Sequence, residues 1–330
     1  MSIRILTGDC RDVLRTLPPG SVHCCVTSPP YFGLRDYGVA GQIGLEPTPD
    51  AFVAEMVAVF AEVRRVLRDD GTLWLNLGDS YANGGGKSQP HRNNNGGFGG
   101  SDGARTQGSA LAGGDFYRPN TMAAGLKPKD LIGIPWRVAF ALQAGGWWLR
   151  SSIIWHKPNP MPESVRDRPT SAHENIFLLA KSERYFFDAD AVRVPYARDW
   201  DENNGGSWAQ GKGDAQRVAE RGKAGTHSGA YPMPDKGGAN IRNVWTVATQ
   251  PFVGAHFATF PPALIEPCIK AGCPAGGTVL DPFGGAGTTG LVADRLHRHA
   301  ILIELNPEYA EMARQRIIGD AGMFAATEVA

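Results

Sequence analysis

No stretch of this 330-residue chain is apolar for long enough to cross a membrane, which takes about 20 consecutive apolar residues. Its opening, MSIRILTGDC, lacks the basic, apolar and small-residue succession of a secretory signal, so a cytoplasmic location and no membrane partner are expected. Cysteine is scarce and odd in number. Cys10, Cys24, Cys25, Cys268 and Cys273 have neither the even count of a disulfide framework nor the paired spacing of a zinc ribbon; buried free thiols and no metal are expected. Charge of one sign is also missing: 33 Lys and Arg balance 33 Asp and Glu, which neither requires nor excludes a nucleic-acid partner. Glycine, by contrast, is plentiful and concentrated in two stretches that are too poor in large apolar side chains to build a core.

Apolar patterning predicts strands at 4–6, 22–27 and 72–77, the last two as short continuous apolar runs. Residues 10–17 suit one or two helical turns. The run AFVAEMVAVFAEVRRVL suits a long amphipathic helix capped by Asp50 and closed by Asp69-Asp70-Gly71. Residues 83–114 read as a mobile loop. A helix over 131–144 and two strands, 147–156 and 174–181, suited to antiparallel pairing, follow. Residues 199–240 are again polar and glycine-rich. Helices at 256–271, 288–296 and 307–318 then alternate with strands at 278–280 and 300–305. The implied organisation is a first catalytic part (1–81), a flexible glycine-rich loop (82–125), a second catalytic part (126–192), an insertion (193–242) and a ligand-binding part (243–330).

Two stretches carry chemistry. The strand at 22–27 runs into Ser28-Pro29-Pro30-Tyr31. Proline stops a central strand because it has no N–H for the ladder. It also holds the preceding residue extended. Ser28 to Tyr31 is therefore a stiff ledge carrying a hydroxyl, free carbonyls and a ring.

The second stretch is VLDPFGGAGTTG, residues 279–290, with a G-x-G-x-x-G match at Gly285, Gly287 and Gly290 between a strand and a helix. Glu304 ends the next strand, twenty positions after Gly284. Glycines that admit a ligand to the backbone, followed by a carboxylate within reach of ribose hydroxyls, make a nucleotide site. Only about one βα unit follows, so the strands on the far side of the sheet must come from the N-terminus. Joining the chain ends in this way makes the 22–27 strand the fourth. The ledge and the glycine loop, about 250 positions apart, then face each other at the carboxyl edge of the sheet. A dinucleotide enzyme is one candidate, but no second mononucleotide half is visible. Asp281 suits an amino group better than a phosphate, which favours S-adenosylmethionine.

The stretches GDCRDVL, TSPPY, GTLWLNLGDSY, WWLRSSIIWHKPNPMPES, HENIFLLAKSERYFFD, HFATFPPALIEPCIKAG, VLDPFGGAGTT and ILIELNPEY, in that order, resemble the beta-arrangement DNA amino-methyltransferases (N4-cytosine/N6-adenine). The resemblance implies an α/β fold: a circularly permuted Rossmann-like methyltransferase sheet, mostly parallel, with an antiparallel strand pair at one edge and an inserted recognition region. It implies S-adenosyl-L-methionine as cofactor, with Asp281, Phe283, Gly284, Gly285, Gly287 and Thr288 on its methionine side. Glu304 would then hold the ribose and Asp9 contact the adenine edge, with the segment of His256 and Phe257 closing over the methionine end. Ser28, Pro29, Pro30 and Tyr31 would receive a target base in double-stranded DNA, and a cognate restriction endonuclease is an implied partner. Ser28 and the Pro29 carbonyl can accept the two N–H bonds of a nucleobase amine, and Tyr31 offers a stacking face to a base taken out of the duplex.

Trp155-His156-Lys157 reads as a core or wall aromatic with basic neighbours that meet phosphate, and Met161 and Trp136 read as packing. From 82 to 137, Lys87, Arg92, Arg105, Arg118, Lys127, Lys129 and Arg137 outnumber Asp102, Asp115 and Asp130, an excess suited to a polyanion. Zinc deaminase chemistry is not indicated, because neither P-C-x-x-C nor H-x-E occurs. The sequence favours cytosine N4 as the target. Adenine N6, an RNA or protein amide, nicotinamide chemistry and a silent DNA-binding relative stay open at this point.

Overall fold

The computed structural model describes residues 1–34, 36–88, 116–120, 125–196, 237–250, 260–321 and 326–329. Its central element is a nine-stranded sheet built from β1 (Ser2–Thr7), β2 (Val22–Thr27), β3 (Leu67–Leu77), β6 (Trp148–His156), β7 (His173–Ala180), β8 (Val244–Thr246), β9 (Thr278–Asp281), β10 (His299–Glu304) and β11 (Ala326–Val329), in the spatial order β11-β1-β10-β9-β2-β3-β7-β6-β8. β4 (Gly84–Ser88) and β5 (Phe116–Asn120) form a separate antiparallel ribbon. The helices are α1 (Cys10–Thr16), α2 (Pro49–Val66), α3 (Ile134–Ala144), α4 (Pro262–Gly272), α5 (Thr288–Arg295) and α6 (Pro307–Ala321).

Six strands run parallel from β11 to β3, and β7 alone is reversed within the sheet. The permuted order is present: β9, which leads into the glycine loop, pairs in parallel with β2, which leads into the ledge, through Cys24↔Val279 and Cys25↔Leu280. The antiparallel β6–β7 pair lies near one edge, with the short β8 outside it.

Continuous apolar runs such as VHCCVT and TLWLNL become strands covered on both faces, as the helices on each side of a parallel sheet require. α2 buries Phe52, Met56, Val59, Phe60, Val63 and Val66 along one stripe, the three-to-four-residue spacing of a helix lying on a sheet. All five cysteines are free and buried, as their pattern suggested.

Several boundaries differ from expectation. α2 is capped by the Thr48 hydroxyl, which accepts from the Ala51 N–H, with Pro49 in the first turn and Asp50 after it. β3 starts at Leu67, directly after α2, and an irregularity between Val22 and Cys24 absorbs the polar Arg68–Gly71 step. α3 begins only at Ile134, where Asp79 Oδ1 accepts the Gly133 and Ile134 N–H groups at 3.0 Å; Leu131 bridges Tyr81 instead. The glycine-rich stretch read as a loop contributes β4, and the remainder of that loop lies at 89–115, outside the described residues. β11 was not expected; its four residues follow α6 and pair with β1.

Two compact units emerge, one of Met1–Asp188 with Arg242–Ala330, the other of Ala189–Ile241. In the described part of the smaller unit, Val194 and Ala239 pair as an isolated bridge and Arg193 binds Asp190, the Gly238 carbonyl and Asn240. No helix among the described residues is long and apolar enough to cross a membrane.

α4 meets the sheet without a spacer at Gly272, where a Cβ would lie 2.5 Å from Trp74 Nε1, 2.7 Å from Thr72 Oγ1 and 2.9 Å from Cys24 Sγ. These are buried atoms with nowhere to retreat. Gly272→Ala should therefore destabilise the protein by about 1–3 kcal/mol through overpacking, read as a lower midpoint in urea unfolding; an unchanged midpoint would show that α4 can lift off the sheet freely.

Candidate active site

The register of the sheet brings the chemistry together. Thr7 pairs with Glu304, Leu302 with Asp281 and Thr27 with Leu75, so β1, β10, β9, β2 and β3 all end at one edge. β7 runs the other way and begins there: Asn175 pairs with Leu77, and Glu174 with Trp155 at the end of β6. A cavity of about 890 Å³ opens along this edge, bounded by the glycine loop and Glu304 at one end and by the ledge, Trp155, Lys157 and Glu174 at the other.

Asp281 sits where the two halves meet. Its Oδ1 accepts the Thr27 hydroxyl at 2.6 Å and the Phe283 N–H at 3.0 Å, and its Oδ2 accepts the Thr289 hydroxyl at 2.6 Å. The residue is buried, and desolvation raises its pKa above the ordinary carboxylate value, partly offset by these donors. Three of about four acceptor positions are thus taken by the protein itself. The carboxylate fastens the ledge strand to the glycine loop and leaves only one Oδ2 position toward the cavity.

Glu304 is placed differently. Its Oε2 accepts the Gly285 N–H at 2.8 Å and its Oε1 the Asn306 N–H at 2.9 Å, with the Leu305 N–H as a further donor, and the carboxylate lines the cavity wall. Burial raises its pKa. Asp9 caps α1, accepts the Arg11 N–H at 2.9 Å and pairs with the Arg11 guanidinium at 2.5 Å. That guanidinium holds the Asp9 carboxyl below its usual range despite burial.

Phe283, Gly284, Gly285 and Thr288 line the cavity together with Asp9, Asp281, Glu304 and the four residues of the ledge. Gly287 does not. It has φ +76° and turns the chain into α5, and a Cβ there would meet Ala313 Cβ of α6 at 2.8 Å, so it serves close helix packing. His256 and Phe257 lie outside the described residues; from the same segment Phe260 reaches the cavity.

Trp155 forms part of the cavity wall, and beside it stands a carboxylate, Glu174, that the sequence did not single out. Lys157 was expected at phosphate; it instead lines the cavity, forms an ion pair with Glu174 and lies 4.3 Å from the Trp155 ring centroid. Tyr31 Oη donates to Glu174 Oε2 at 2.7 Å, and Asn76 Nδ2 donates to the same oxygen at 3.1 Å. The ring of Tyr31 packs on Gly78, where a Cβ would come within 2.6 Å of it. A carboxylate in the polar opening of a strand that is otherwise apolar from Ile176 on, HENIFLLA, was the available signal for Glu174. Met161, read as packing, is 89% exposed at the cavity, and Trp136 packs on Phe140 and Phe177 while remaining 41% exposed. Of the basic residues expected at a polyanion, Lys127, Lys129 and Arg137 pair with Asp130, Asp167 and Asp50 at exposed positions.

A family model described as DNA methylase, that of the N6/N4 methyltransferases, matches residues 22–315. The chain belongs to that family. This methylase is 49% identical over 317 residues to the type II methyltransferase M.XycI of Xanthomonas campestris pv. cyanopsidis, covering 96% of the chain and 87% of the relative. It is 45% identical to M.SmaI of Serratia marcescens, covering 96% and 91%. Among solved structures, PvuII DNA methyltransferase (cytosine-N4-specific) matches with a TM-score of 0.60 at 18% identity, over 96% of this chain and 87% of that one. A putative DNA modification methylase of Thermus thermophilus, solved with S-adenosyl-L-methionine, matches with 0.58 at 23%, over 99% of both chains. These two likenesses show the fold.

The Thr27–Asp281 bond joins two strands that are distant in sequence and is made to a buried charge. Thr27→Val keeps the side-chain shape and removes the donor. Chemical denaturation should show a loss of about 1.5–3 kcal/mol, the range for a hydrogen bond to a charged group. A variant as stable as the wild type would mean that Thr289 and the Phe283 N–H suffice to hold the carboxylate.

Proposed function

We propose that this DNA methyltransferase transfers a methyl group to the N4 amine of a cytosine taken out of double-stranded DNA. The observation that carries this reading is the place of Ser28: a neutral hydroxyl, first in the Ser-Pro-Pro-Tyr ledge, at the cavity wall and linked to Tyr31. S-adenosylmethionine is the cofactor, and when bound it supplies an already activated methyl on a sulfonium. The residues fit it. Glu304 lines the cavity as an acceptor for ribose hydroxyls, Gly284 and Gly285 line it beside Phe283, and Asp9 stands at the same edge. Asp281 offers its remaining lone pair to the methionine amine.

An exocyclic amine conjugated with its ring is a poor nucleophile. The Ser28 hydroxyl and the Pro29 carbonyl accept its two N–H bonds, fix its direction and favour a pyramidal nitrogen. Tyr31 stacks on the extruded base. The work of the protein is positioning and hydrogen bonding. In the beta-arrangement family an Asp or Asn at the Ser28 position usually accompanies adenine and a Ser usually accompanies cytosine, which supports N4. A pyrimidine also needs a shallower pocket beside the ledge than a purine, and Phe32, which the sequence also offered to fill that room, is instead buried against Phe52. The insertion at 193–242 is the target-recognition region in this reading, and a cognate endonuclease is the partner that type II modification implies.

Nucleoside mass spectrometry of DNA incubated with enzyme and cofactor should show N4-methylcytosine; N6-methyladenine alone would move the target base and leave the family standing. Ser28→Ala should slow single-turnover methyl transfer by about 10²–10³-fold, as for one preorganised transition-state hydrogen bond, while Tyr31→Ala should weaken base capture by about 1–3 kcal/mol, more than it weakens cofactor binding.

Cofactor binding has its own check. Glu304→Ala should weaken S-adenosylmethionine binding by about 1.5–3 kcal/mol in calorimetry. Unchanged affinity, or tight nicotinamide dinucleotide binding by the wild type, would overturn the assignment.

A further inference from the structure

Behind the ledge stands a polar chain that touches neither the cofactor residues nor the glycine loop. Ser28 Oγ lies 3.4 Å from Tyr31 Oη, which lies 2.7 Å from Glu174 Oε2, and Glu174 is ion-paired with Lys157 over the Trp155 ring. The Glu174 and Lys157 side chains are only 16% and 19% exposed, so this pair is largely shielded from water. We propose that Glu174 is a positioning residue for methyl transfer: through Tyr31 it turns the Ser28 proton away from the cavity, so that Ser28 faces the target amine as an acceptor. The proposal rests on the reading of Ser28 as the acceptor of that amine.

The direction of each proton follows from the donors present. Tyr31 has one proton and two acceptors in reach, Glu174 Oε2 at 2.7 Å and Asn76 Oδ1 at 3.2 Å. The carboxylate is both nearer and charged, so it takes the proton. Burial and the Glu174 charge push the Tyr31 pKa well up, which keeps the phenol a donor. With its proton committed to Glu174, Tyr31 Oη can only accept from Ser28. The Ser28 proton then points at Tyr31, and both Ser28 lone pairs are left for the substrate side. At 3.4 Å the Ser28–Tyr31 link is slack, as catalytic hydrogen bonds are before substrate tightens them. Without this bias a serine hydroxyl is ambiguous, since it can donate to a ring nitrogen as readily as accept from an amine.

Lys157 and Asn76 complete the device. Lys157 occupies Oε1, and Asn76 Nδ2 donates to Oε2 at 3.1 Å and to the Asn175 carbonyl at 3.2 Å. Glu174 is thus held as an oriented acceptor rather than a free surface carboxylate.

The test uses the full-length protein with DNA and S-adenosylmethionine. Glu174→Gln should lower the single-turnover rate by roughly 10–100-fold, below the loss expected for a direct transition-state bond, with cofactor Kd unchanged within about twofold. Tyr31→Phe keeps the ring and cuts the same chain, so it should lower the rate similarly. The double variant should be no slower than the slower single one, because both remove one path. Multiplying losses, or a Glu174→Gln enzyme at the wild-type rate, would overturn the proposal. If Glu174→Gln does not fold, Tyr31→Phe combined with Ser28→Ala carries the same test: no loss beyond Ser28→Ala alone is expected, and a further loss overturns the relay. A wild type that leaves no methylated cytosine in DNA overturns the functional reading itself, whereas an active wild type with an equally fast Glu174→Gln variant overturns only the role of Glu174.

Discussion

A single buried carboxylate holds the two ends of the chain in register. Asp281 ends β9, and its three partners come from the neighbouring strand, the glycine loop and the first turn of α5. Burying an ion costs several kcal/mol unless its oxygens are bonded, and the raised pKa of Asp281 records that cost. The three hydrogen bonds offset it only while Thr27, Phe283 and Thr289 stay where they are. Ser28 follows Thr27 directly, so the position of the ledge relative to the glycine loop is fixed by the same constraint that keeps Asp281 solvated by protein. A sheet whose strands come from opposite ends of the chain needs such a fastening at the point where they meet.

The reversal of β7 is the second constraint. A parallel strand in its place would have begun at the far edge and carried Glu174 away from the cavity. Because β7 is antiparallel to both β3 and β6, its first residues stand beside the last residues of its neighbours. Glu174 therefore meets Asn76 on one side, and Lys157, just beyond β6, on the other. Gly78, one residue past β3, admits the Tyr31 ring that joins this wall to the ledge.

What the sequence made legible and what it hid divide along physical lines. The permuted order and the apposition of ledge and loop followed from strand ends, since Val22–Thr27 and Thr278–Asp281 are short apolar runs closed by unmistakable breakers. Helix starts were less readable: Asp50 and Thr48 are both good caps, and only the Thr48 hydroxyl geometry decides between them. Gly287 matched a nucleotide-loop pattern yet faces α6, because a motif fixes the turn but not which side of it a neighbouring helix occupies. Glu174 and Lys157 were hidden for a different reason. They are seventeen positions apart, and only the β6–β7 register brings their charges together.

That pair bears on why the ledge begins with serine. Ser28 is two hydrogen bonds from a carboxylate that Lys157 already neutralises. An aspartate in the same place would set a second negative charge against the Tyr31 oxygen, whose proton is committed to Glu174, and would accept no hydrogen bond from it. Two carboxylates so close to one phenol oxygen disfavour joint ionisation, although Lys157 offsets the charge of one of them. A serine avoids that conflict, because it can donate inward and accept outward at once. A neutral residue at the head of the ledge is compatible with the bonding of Tyr31 to Glu174 and of Glu174 to Lys157.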